Sequence, residues 1–267
     1  MLPSRTFAEL TQPEIAAQLK KNPLVILPAG SVEQHGPHLP AGTDTLAANA
    51  IAHAVAERMD GLVLPATPLG VTPMHMPFEG TITLTPDTYM RVVTETCVAT
   101  ARHGARYLLI LNWHEGNIPS LAIAAEALHR DHGMTVLTVQ ACYVAEELYG
   151  GTCNGLTHGG EIEALAVLAH RPDLVHLDRI DYSSDHQHGH KMDRLRRTRS
   201  YQPVLTDIRS IAPTGWFGSP QHASAEKGRR MLTDIADAIA REATEIFAQL
   251  DAVQGGTAEV KRLRQVK

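Results

Sequence analysis

LVILP, residues 24–28, is a short apolar run of the kind that forms a fully buried strand, and it leads directly into a glycine-containing polar loop. Apolar residues at helical spacing follow the loop, with Asp44 or Thr45 as the predicted N-cap and Gly61 as the stop. Residues 62–65 form the next apolar run. The sequence therefore predicts a strand–loop–helix–strand unit at the start of the fold.

The same alternation of helical and strand patterns recurs along the chain. YLLIL, residues 107–111, is the most strongly apolar strand pattern, and Thr85 followed by Pro86 predicts a capped helix start before it. Strands that alternate with helices predict a layered α/β fold with a mostly parallel sheet, in which sites form beyond the carboxyl ends of the strands. The remaining predicted elements are helices over residues 121–132, 162–168 and 225–250 and a strand over residues 135–139.

Composition restricts the class of protein. The chain has 267 residues, of which 43% are hydrophobic and 20% are charged, and its formal net charge is -5, which is typical of a water-soluble globular protein. The acidic balance argues against a nucleic-acid partner, because duplex binding depends on Lys and Arg that neutralise phosphates. No apolar run is long enough to span a bilayer, and the first ten residues lack the apolar core of a secretion signal. We therefore expect a cytoplasmic protein without a membrane partner.

Chain length and local composition predict the domain organisation. One core is sufficient for a chain of this length, so residues 1–254 are predicted to form a single domain, and the basic segment 255–267 is predicted to be a flexible tail. Residues 181–199 are polar and lack periodicity, which predicts a long loop that lies against another subunit or over a cleft. The three cysteines are spaced too widely for a metal finger and are predicted to be buried thiols.

The loop after the first strand combines metal-binding side chains. The chain has 15 histidines, and imidazole is the commonest metal ligand. Glu33, His35 and Asp44 place a carboxylate, an imidazole and a second carboxylate in one short segment. Zinc, manganese and iron bind such donors, and two neighbouring ions need a shared carboxylate, for which Asp44 is the natural bridge. The alternative is that Asp44 caps the helix and that Glu33 and His35 are surface loop residues.

Two further segments combine histidine with polar neighbours. His114 lies in NWHEGN, where the YLLIL strand ends and a side chain can point into a cleft, or it packs beneath the loop while the asparagines make turn hydrogen bonds. His158 is followed by two glycines, which allow the backbone to approach a bound group, and then by Glu161 and Glu163. The alternative is that these glutamates only stabilise the N-terminus of the helix by interacting with its dipole.

Five segments together resemble the creatininase (creatinine amidohydrolase) family along nearly the whole chain: GSVEQHGPHLPAGTD, FEGTITL, RHGARYLLILNWHEGN, HGGEIEA and SAEKGRRML. The resemblance implies a three-layer α/β/α hydrolase with two divalent metal ions (Zn, Mn or Fe) per chain, often assembled as a hexamer. It also implies that Glu33, His35, Asp44 and His114 bind metal, with Asp44 as the bridge, and that His158 transfers protons.

The chain departs from the type enzyme of that family at Gly116, where the type enzyme has a metal-binding glutamate. We therefore expect the remaining ligand to be Glu161, with Glu115 as the second choice, and Glu163 to lie on the helix face or to support a ligand. Creatinine hydrolases also resemble one another in a tryptophan near the position of Cys142, so creatinine itself is not the expected substrate.

Three residues are predicted to bind the substrate. Trp113 and Glu115 stand where many relatives have glycine, and His75 lies in the loop that precedes FEGTITL. Trp113 would offer a flat apolar face and Glu115 a hydrogen-bond acceptor, which together suit a small polar ring. The alternative is that Trp113 packs into a subunit interface and that Glu115 pairs with a surface arginine.

The expected function is metal-dependent hydrolysis that opens a small cyclic amide or a similar polar ring, with His158 handling the protons. Alternatives within the family are hydrolysis of a keto-inositol ring, removal of a formamide group and cleavage of a short peptide tail. A metal-binding protein without catalytic activity is the alternative outside the family. Nucleotide-dependent classes are disfavoured, because neither phosphate-binding glycine motif follows the first strand.

Overall fold

The computed structural model describes residues 4–182, 189, 191–192 and 204–255. Its centre is a parallel four-stranded sheet in the order β2-β1-β3-β4, with strands β1 (Leu24–Ala29), β2 (Leu62–Val63), β3 (Tyr107–Asn112) and β4 (Thr135–Gln140). β1 and β3 pair along their full length, up to Ala29 opposite Asn112. The carboxyl ends of the two central strands therefore lie side by side.

Helices connect the strands and extend the chain beyond them. In chain order they are α1 (Gln12–Lys21), α2 (Thr43–Met59), α3 (Pro86–Arg102), α4 (Ile118–His132), α5 (Ala141–Tyr149), α6 (Glu161–Leu168) and α7 (Ala225–Gly255). Short 3-10 turns join several of these elements, including Pro73–His75 and Glu115–Asn117.

The side chains of β1 alternate between two cores, because successive side chains of a strand point to opposite faces. Leu24 and Ile26 pack in the core formed with α2, α5, α6 and α7, whereas Val25 and Leu27 pack in the core formed with α1, α3 and α4. All four are buried, as a parallel sheet covered on both faces requires. The predicted three-layer α/β/α fold with a mostly parallel sheet is confirmed.

The C-terminal helix α7 packs directly on α6. Gly228 lies at their contact, where a Cβ atom on this residue would come within 2.4 Å of the Leu165 carbonyl oxygen and 3.0 Å of the Ala169 nitrogen. Beside it, Lys227 Nζ lies 2.7 Å from Glu161 Oε1 at the first position of α6. The missing side chain at Gly228 and this ion pair together fix the position of α6 against α7.

Sequence signals account for some helix ends and not for others. The side chain of Thr85 accepts a backbone N–H at the start of α3, as predicted, whereas α7 continues to Gly255, beyond its predicted end at residue 250. α1 and α5 have no counterpart in the sequence prediction. α1 begins at a capping box formed by Thr11 and Glu14, a signal that the sequence contains. α5 follows β4 directly and has no side-chain cap, so nothing local marks its beginning.

Several predictions concern residues that the structure does not describe. Residues 183–188, 190 and 193–199 of the polar loop and residues 256–267 of the tail lie outside the described residues, so the predictions for both segments stay predictions, as does the single-domain boundary at residue 254. The cysteines are buried free thiols, as expected. Within the described part of the chain, no helix is long and apolar enough to cross a membrane.

Candidate metal centre

Four of the predicted ligands meet at the carboxyl ends of β1 and β3. Glu33 and His35 lie on the loop after β1, Asp44 lies in the first turn of α2, and His114 follows β3. The N-cap of α2 is Gly42 and not Asp44 or Thr45, so the Asp44 side chain is not used as a cap and faces the loop instead. This edge of a parallel sheet is where binding sites are expected.

The donor atoms of these residues lie close together. His114 Nδ1 is 3.1 Å from Asp44 Oδ2 and 3.5 Å from Glu33 Oε1, while His35 Nε2 is 3.4 Å from Asp44 Oδ1. Among the described residues, three groups have ligand atoms within 4.8 Å of one another: Glu33, Asp44 and His114; His35, Asp44 and Glu163; and Glu33, His35 and His158. Asp44 belongs to the first two of these groups, which is the arrangement that a bridging carboxylate needs.

The structure brings Glu163, and not Glu161, into this cluster. Glu163 Oε2 lies 3.6 Å from His35 Nε2, whereas Glu161 Oε1 is engaged 2.7 Å from Lys227 Nζ. The physical reason is the helical repeat: residues two apart on a helix of 3.6 residues per turn point to nearly opposite sides. Glu163 thus stands in a donor group where we expected Glu161, our first choice for the remaining ligand, and Glu115, our second choice, is in none of these groups among the described residues.

Surrounding groups hold the donors in place. Ser31 Oγ donates to Asp44 Oδ2 at 2.6 Å, the Gly159 amide donates to Glu163 Oε2 at 2.5 Å, and the Thr72 hydroxyl donates to Glu33. His35 Nδ1 is 3.0 Å from the Glu33 carbonyl oxygen, and His114 Nε2 is 3.1 Å from the Val71 carbonyl oxygen. Because a carbonyl only accepts, each imidazole uses one nitrogen as a donor to the backbone and turns the other towards the cluster, where it could bind a cation after losing its proton.

Asn117 ties three chain segments of the centre together. Its Nδ2 donates to the Gly30 carbonyl oxygen at 2.9 Å and to Asn112 Oδ1 at 3.2 Å, and its Oδ1 accepts the Val71 amide at 2.9 Å. Asn112 in turn donates to the His114 carbonyl oxygen at 2.6 Å. Asn117 is fully buried, so these hydrogen bonds replace contacts with water.

The electrostatics of the cluster favour a bound cation. Burial lowers the pKa of His35, but the carboxylates of Glu163 and Asp44 outweigh it and raise this pKa to about 10. Burial raises the pKa of Glu163 to about 8. His35 Nε2 is buried and has no hydrogen-bond partner within the described residues, although three carboxylates face it at 3.4 to 3.9 Å. A buried set of imidazole and carboxylate donors around an unpartnered nitrogen fits borderline divalent ions.

Two further histidines line the same cluster. His158 Nδ1 lies 3.7 Å from Glu33 Oε1, and His75 Nε2 lies 3.9 Å from Glu33 Oε2. The rings of His75 and His158 are in contact, with their centroids 4.3 Å apart and their planes tilted by 50°. The histidine expected to transfer protons and the one expected to bind substrate therefore both border the centre.

Trp113 does not border a cleft. Its side chain is 2% exposed and packs in the core with α2, α5 and α6. Trp113 therefore does not offer a substrate the flat apolar face that we expected. The alternation of β3 explains the placement, since Leu109, Leu111 and Trp113 are two residues apart and share this core. Glu115 is half-buried in the short turn after His114.

Gly116 stands where a side chain would collide with the centre. A Cβ atom on Gly116 would lie 2.2 Å from the Val71 carbonyl oxygen and 2.5 Å from His114 Nε2. These are the two atoms whose hydrogen bond orients His114. The loop therefore has room only for glycine at this position, and a metal ligand here would require the backbone at residues 71 and 116 to move apart.

We predict that Gly116→Ala destabilises the protein by about 1–3 kcal/mol, because overpacking a closed site has a cost of that order. It should also weaken metal binding roughly 10- to 100-fold by disturbing the hydrogen bond that orients His114. Thermal unfolding and metal titration measure the two effects. The control is Gly151→Ala, because a Cβ atom there would meet nothing within 4 Å. Equal behaviour of the two variants would contradict the prediction.

Comparison with known proteins identifies the family. The family described as creatininase, creatinine amidohydrolase, matches residues 8–243. The creatinine amidohydrolase of Pseudomonas putida is 32% identical over 259 residues, covering 88% of this chain and 95% of that protein. The mycofactocin precursor peptide peptidase of Mycobacterium ulcerans is 31% identical over 227 residues, covering 80% of this chain and 82% of that protein.

A solved structure extends the likeness to the whole fold. A mutant creatininase described as the Zn-Zn type superposes with a TM-score of 0.75 at 28% identity, covering 92% of this chain and 99% of that chain. The match includes the segments that carry Glu33, Asp44 and His114, which the structure brings together. The chain therefore belongs to the creatininase family of metal-dependent hydrolases.

Proposed function

We propose that this protein binds two divalent cations and hydrolyses a C–N bond in a small cyclic amide or a similar polar ring. Glu33, Asp44 and His114 would hold one cation, and His35, Asp44 and Glu163 would hold the other. The observation that carries the proposal is the pair of donor groups that share Asp44. Zinc, manganese and iron all suit these donors.

The chemistry of such a site follows from its cations and its histidines. Two bound divalent ions would lower the pKa of a water molecule and polarise the carbonyl group that the water attacks. His158 borders the cluster and has side-chain exposure of 12%, so it can reach a substrate while the ligands stay buried. We propose that His158 takes the proton of the attacking water and returns it to the departing nitrogen. The water oxygen then remains on the carbonyl carbon, and the amide bond is opened.

The substrate class rests on the family and on the residues that border the centre. The chain covers almost the full length of a creatinine amidohydrolase, which supports a cyclic amide. Trp113 is buried, so it cannot stack on a substrate as we expected. His75 was also expected to bind the substrate, and it does border the centre.

Cleavage of a short peptide tail is the second candidate. The observation that favours it is the 31% identity to a mycofactocin precursor peptide peptidase over 80% of this chain. Both candidates use the same hydrolytic step and differ in what occupies the space above the cations. Hydrolysis of a keto-inositol and removal of a formamide group are further options for the same centre. A homo-oligomer, hexameric by resemblance, and a cytoplasmic location are also proposed.

We expect elemental analysis of the purified protein to find two divalent ions per chain, and chelation to abolish hydrolysis. A screen of cyclic amides, formamides, keto-inositols and short peptides, with and without chelator, identifies the substrate. Metal-loaded protein that hydrolyses none of these substrates would favour the non-enzymatic alternative of a metal-binding protein.

Two matched variants test the ligand on α6. Glu163→Gln should lose at least one of the two ions, because an amide is a weaker ligand than a carboxylate. Glu161→Gln should keep both, because its amide oxygen can still accept a hydrogen bond from Lys227 Nζ and hold α6 in place. Elemental analysis of the two proteins, purified in parallel, gives the answer. Retention of both ions in Glu163→Gln would remove Glu163 from the ligand set.

A further inference from the structure

One buried glutamine contacts both histidines that border the centre. Gln34 follows Glu33, is 8% exposed and places its amide between the rings of His75 and His158. Its side-chain nitrogen lies 3.1 Å from His75 Nδ1 and 2.6 Å from the carbonyl oxygen of Gly215. The protonation of the histidines follows from the hydrogen bonds of this residue.

The orientation of the Gln34 amide is fixed by two backbone groups. The Gly36 N–H donates to Gln34 Oε1 at 3.1 Å, and Gln34 Nε2 donates to the Gly215 carbonyl oxygen at 2.6 Å. A rotated amide would place its oxygen against the Gly215 oxygen and its NH2 group against the Gly36 N–H. One of the two amide hydrogens is therefore used by Gly215, and one remains.

Gln34 Nε2 lies 3.1 Å from both His75 Nδ1 and His158 Nε2. His158 Nε2 cannot accept the remaining hydrogen, because it carries its own hydrogen towards the Gln34 carbonyl oxygen at 2.7 Å, so the hydrogen goes to His75. Gln34 Nε2 donates to His75 Nδ1, so this nitrogen carries no hydrogen and the neutral ring is protonated on Nε2. His75 Nε2 faces Glu33 Oε2 at 3.9 Å, which is too long for a hydrogen bond. His75 therefore presents an N–H group towards the centre.

The main-chain carbonyl group of Gln34 determines the tautomer of the second ring, His158. His158 Nε2 lies 2.7 Å from the Gln34 carbonyl oxygen, and because a carbonyl only accepts, this nitrogen carries the hydrogen. His158 Nδ1 is then unprotonated and faces Glu33 Oε1 at 3.7 Å. His158 therefore presents a lone pair towards the centre, where His75 presents a hydrogen.

We propose that Gln34 is a positioning residue that makes His75 a hydrogen-bond donor and His158 a proton acceptor at the same cleft. In the hydrolysis proposed above, on which this role rests, His158 Nδ1 accepts the proton of the attacking water. His75 Nε2–H donates to an oxygen atom of the substrate and aligns it beside the centre. The substrate therefore carries an acceptor oxygen within reach of His75, as the carbonyl group of an amide does.

Joint neutron and X-ray diffraction from crystals of the zinc-loaded protein tests the assignment directly. We expect deuterium on Nε2 of both His75 and His158 and none on Nδ1 of either ring. Deuterium on Nδ1 of His75 or of His158 would overturn the proposal. This measurement needs no turnover, so it separates failure of the proposed tautomers from failure of the proposed function.

Variants of the two side chains test the consequence for catalysis. His75→Leu should lower kcat/KM on the substrate found by the screen by about 100-fold, as the loss of one positioned donor does, with the metal content unchanged. His75→Gln can place an amide N–H near the position of Nε2 and should recover part of the rate. Equal rates for His75→Leu and the unmodified enzyme, or for the Leu and Gln variants, would contradict the donor role.

A matched pair of glutamine variants separates this role from general packing. Gln34→Met removes the amide that fixes His75 and should lower kcat while both metal ions remain bound. Gln18→Met removes another buried glutamine, whose amide donates at 2.6 Å to the carbonyl oxygen of Asp60, at the end of α2 opposite to Asp44. We expect Gln18→Met to keep the kcat of the unmodified enzyme, and an equal loss of kcat in both variants would overturn the positioning role of Gln34.

Discussion

Asp44→Asn is expected to leave the protein folded with fewer than one metal ion per chain, where two are expected for the unmodified protein. The amide has the shape of the carboxylate and can still accept the Ser31 hydroxyl, so the fold keeps this contact. It lacks the second charged oxygen that joins the two donor groups. Turnover should fall by at least roughly 100-fold, since even residues that only support a ligand are worth up to that factor.

The opposite end of the same helix supplies the control. Asp60 lies just after α2 and pairs with Arg5 at 2.5 Å and Lys21 at 2.8 Å, away from the donor groups. Asp60→Asn should keep both ions and full activity. Elemental analysis and rate measurements on both variants decide the matter, and two ions retained in Asp44→Asn would exclude Asp44 as the bridge.

Asn117→Leu is expected to lower the free energy of unfolding by about 2–6 kcal/mol. Leucine fills a similar volume but leaves the Gly30 carbonyl and the Val71 amide buried without their partner, and each such group is worth roughly 1–3 kcal/mol. This is a large fraction of the 5–15 kcal/mol that is typical of a folded domain. Urea unfolding in the presence of chelator measures it without a contribution from metal binding.

Asn117→Asp provides an intermediate case. A carboxylate can still accept the Val71 amide but cannot donate to Gly30 or to Asn112, so its loss of stability should lie between those of the unmodified protein and Asn117→Leu. If Asn117→Leu unfolds at the same urea concentration as the unmodified protein, the role of Asn117 in joining the three segments is refuted.

The sequence predicted the part of the centre that follows from sheet topology. Glu33 and His114 stand just beyond two apolar runs, and neighbouring parallel strands bring their carboxyl ends together, so motif and topology pointed to one place. The choice between Glu161 and Glu163 required the phase of α6, which depends on where that helix begins. Placing the helix start at Glu161 would have separated the two glutamates by about half a turn.

Other features depend on contacts that no local pattern contains. Gln34 owes its orientation to Gly215, which is 181 residues away in the chain, so its relation to His75 and His158 emerges only in the folded protein. The burial of Trp113 was within reach of the sequence, because continuing the alternation of YLLIL by two residues places it on the same face as Leu111.

The close contact of Gly228 with α6 has a consequence for how the enzyme can be divided or redesigned. Every proposed ligand precedes residue 164, yet the donor on α6 is aimed by a helix that begins at Ala225 and contributes no ligand. A shortened chain that ends after α6 would contain the complete set of donors without the surface that orients one of them. Conversely, substitutions in the interface between α6 and α7 could change the position of α6, and with it the metal affinity of the centre, while every ligand stays unchanged.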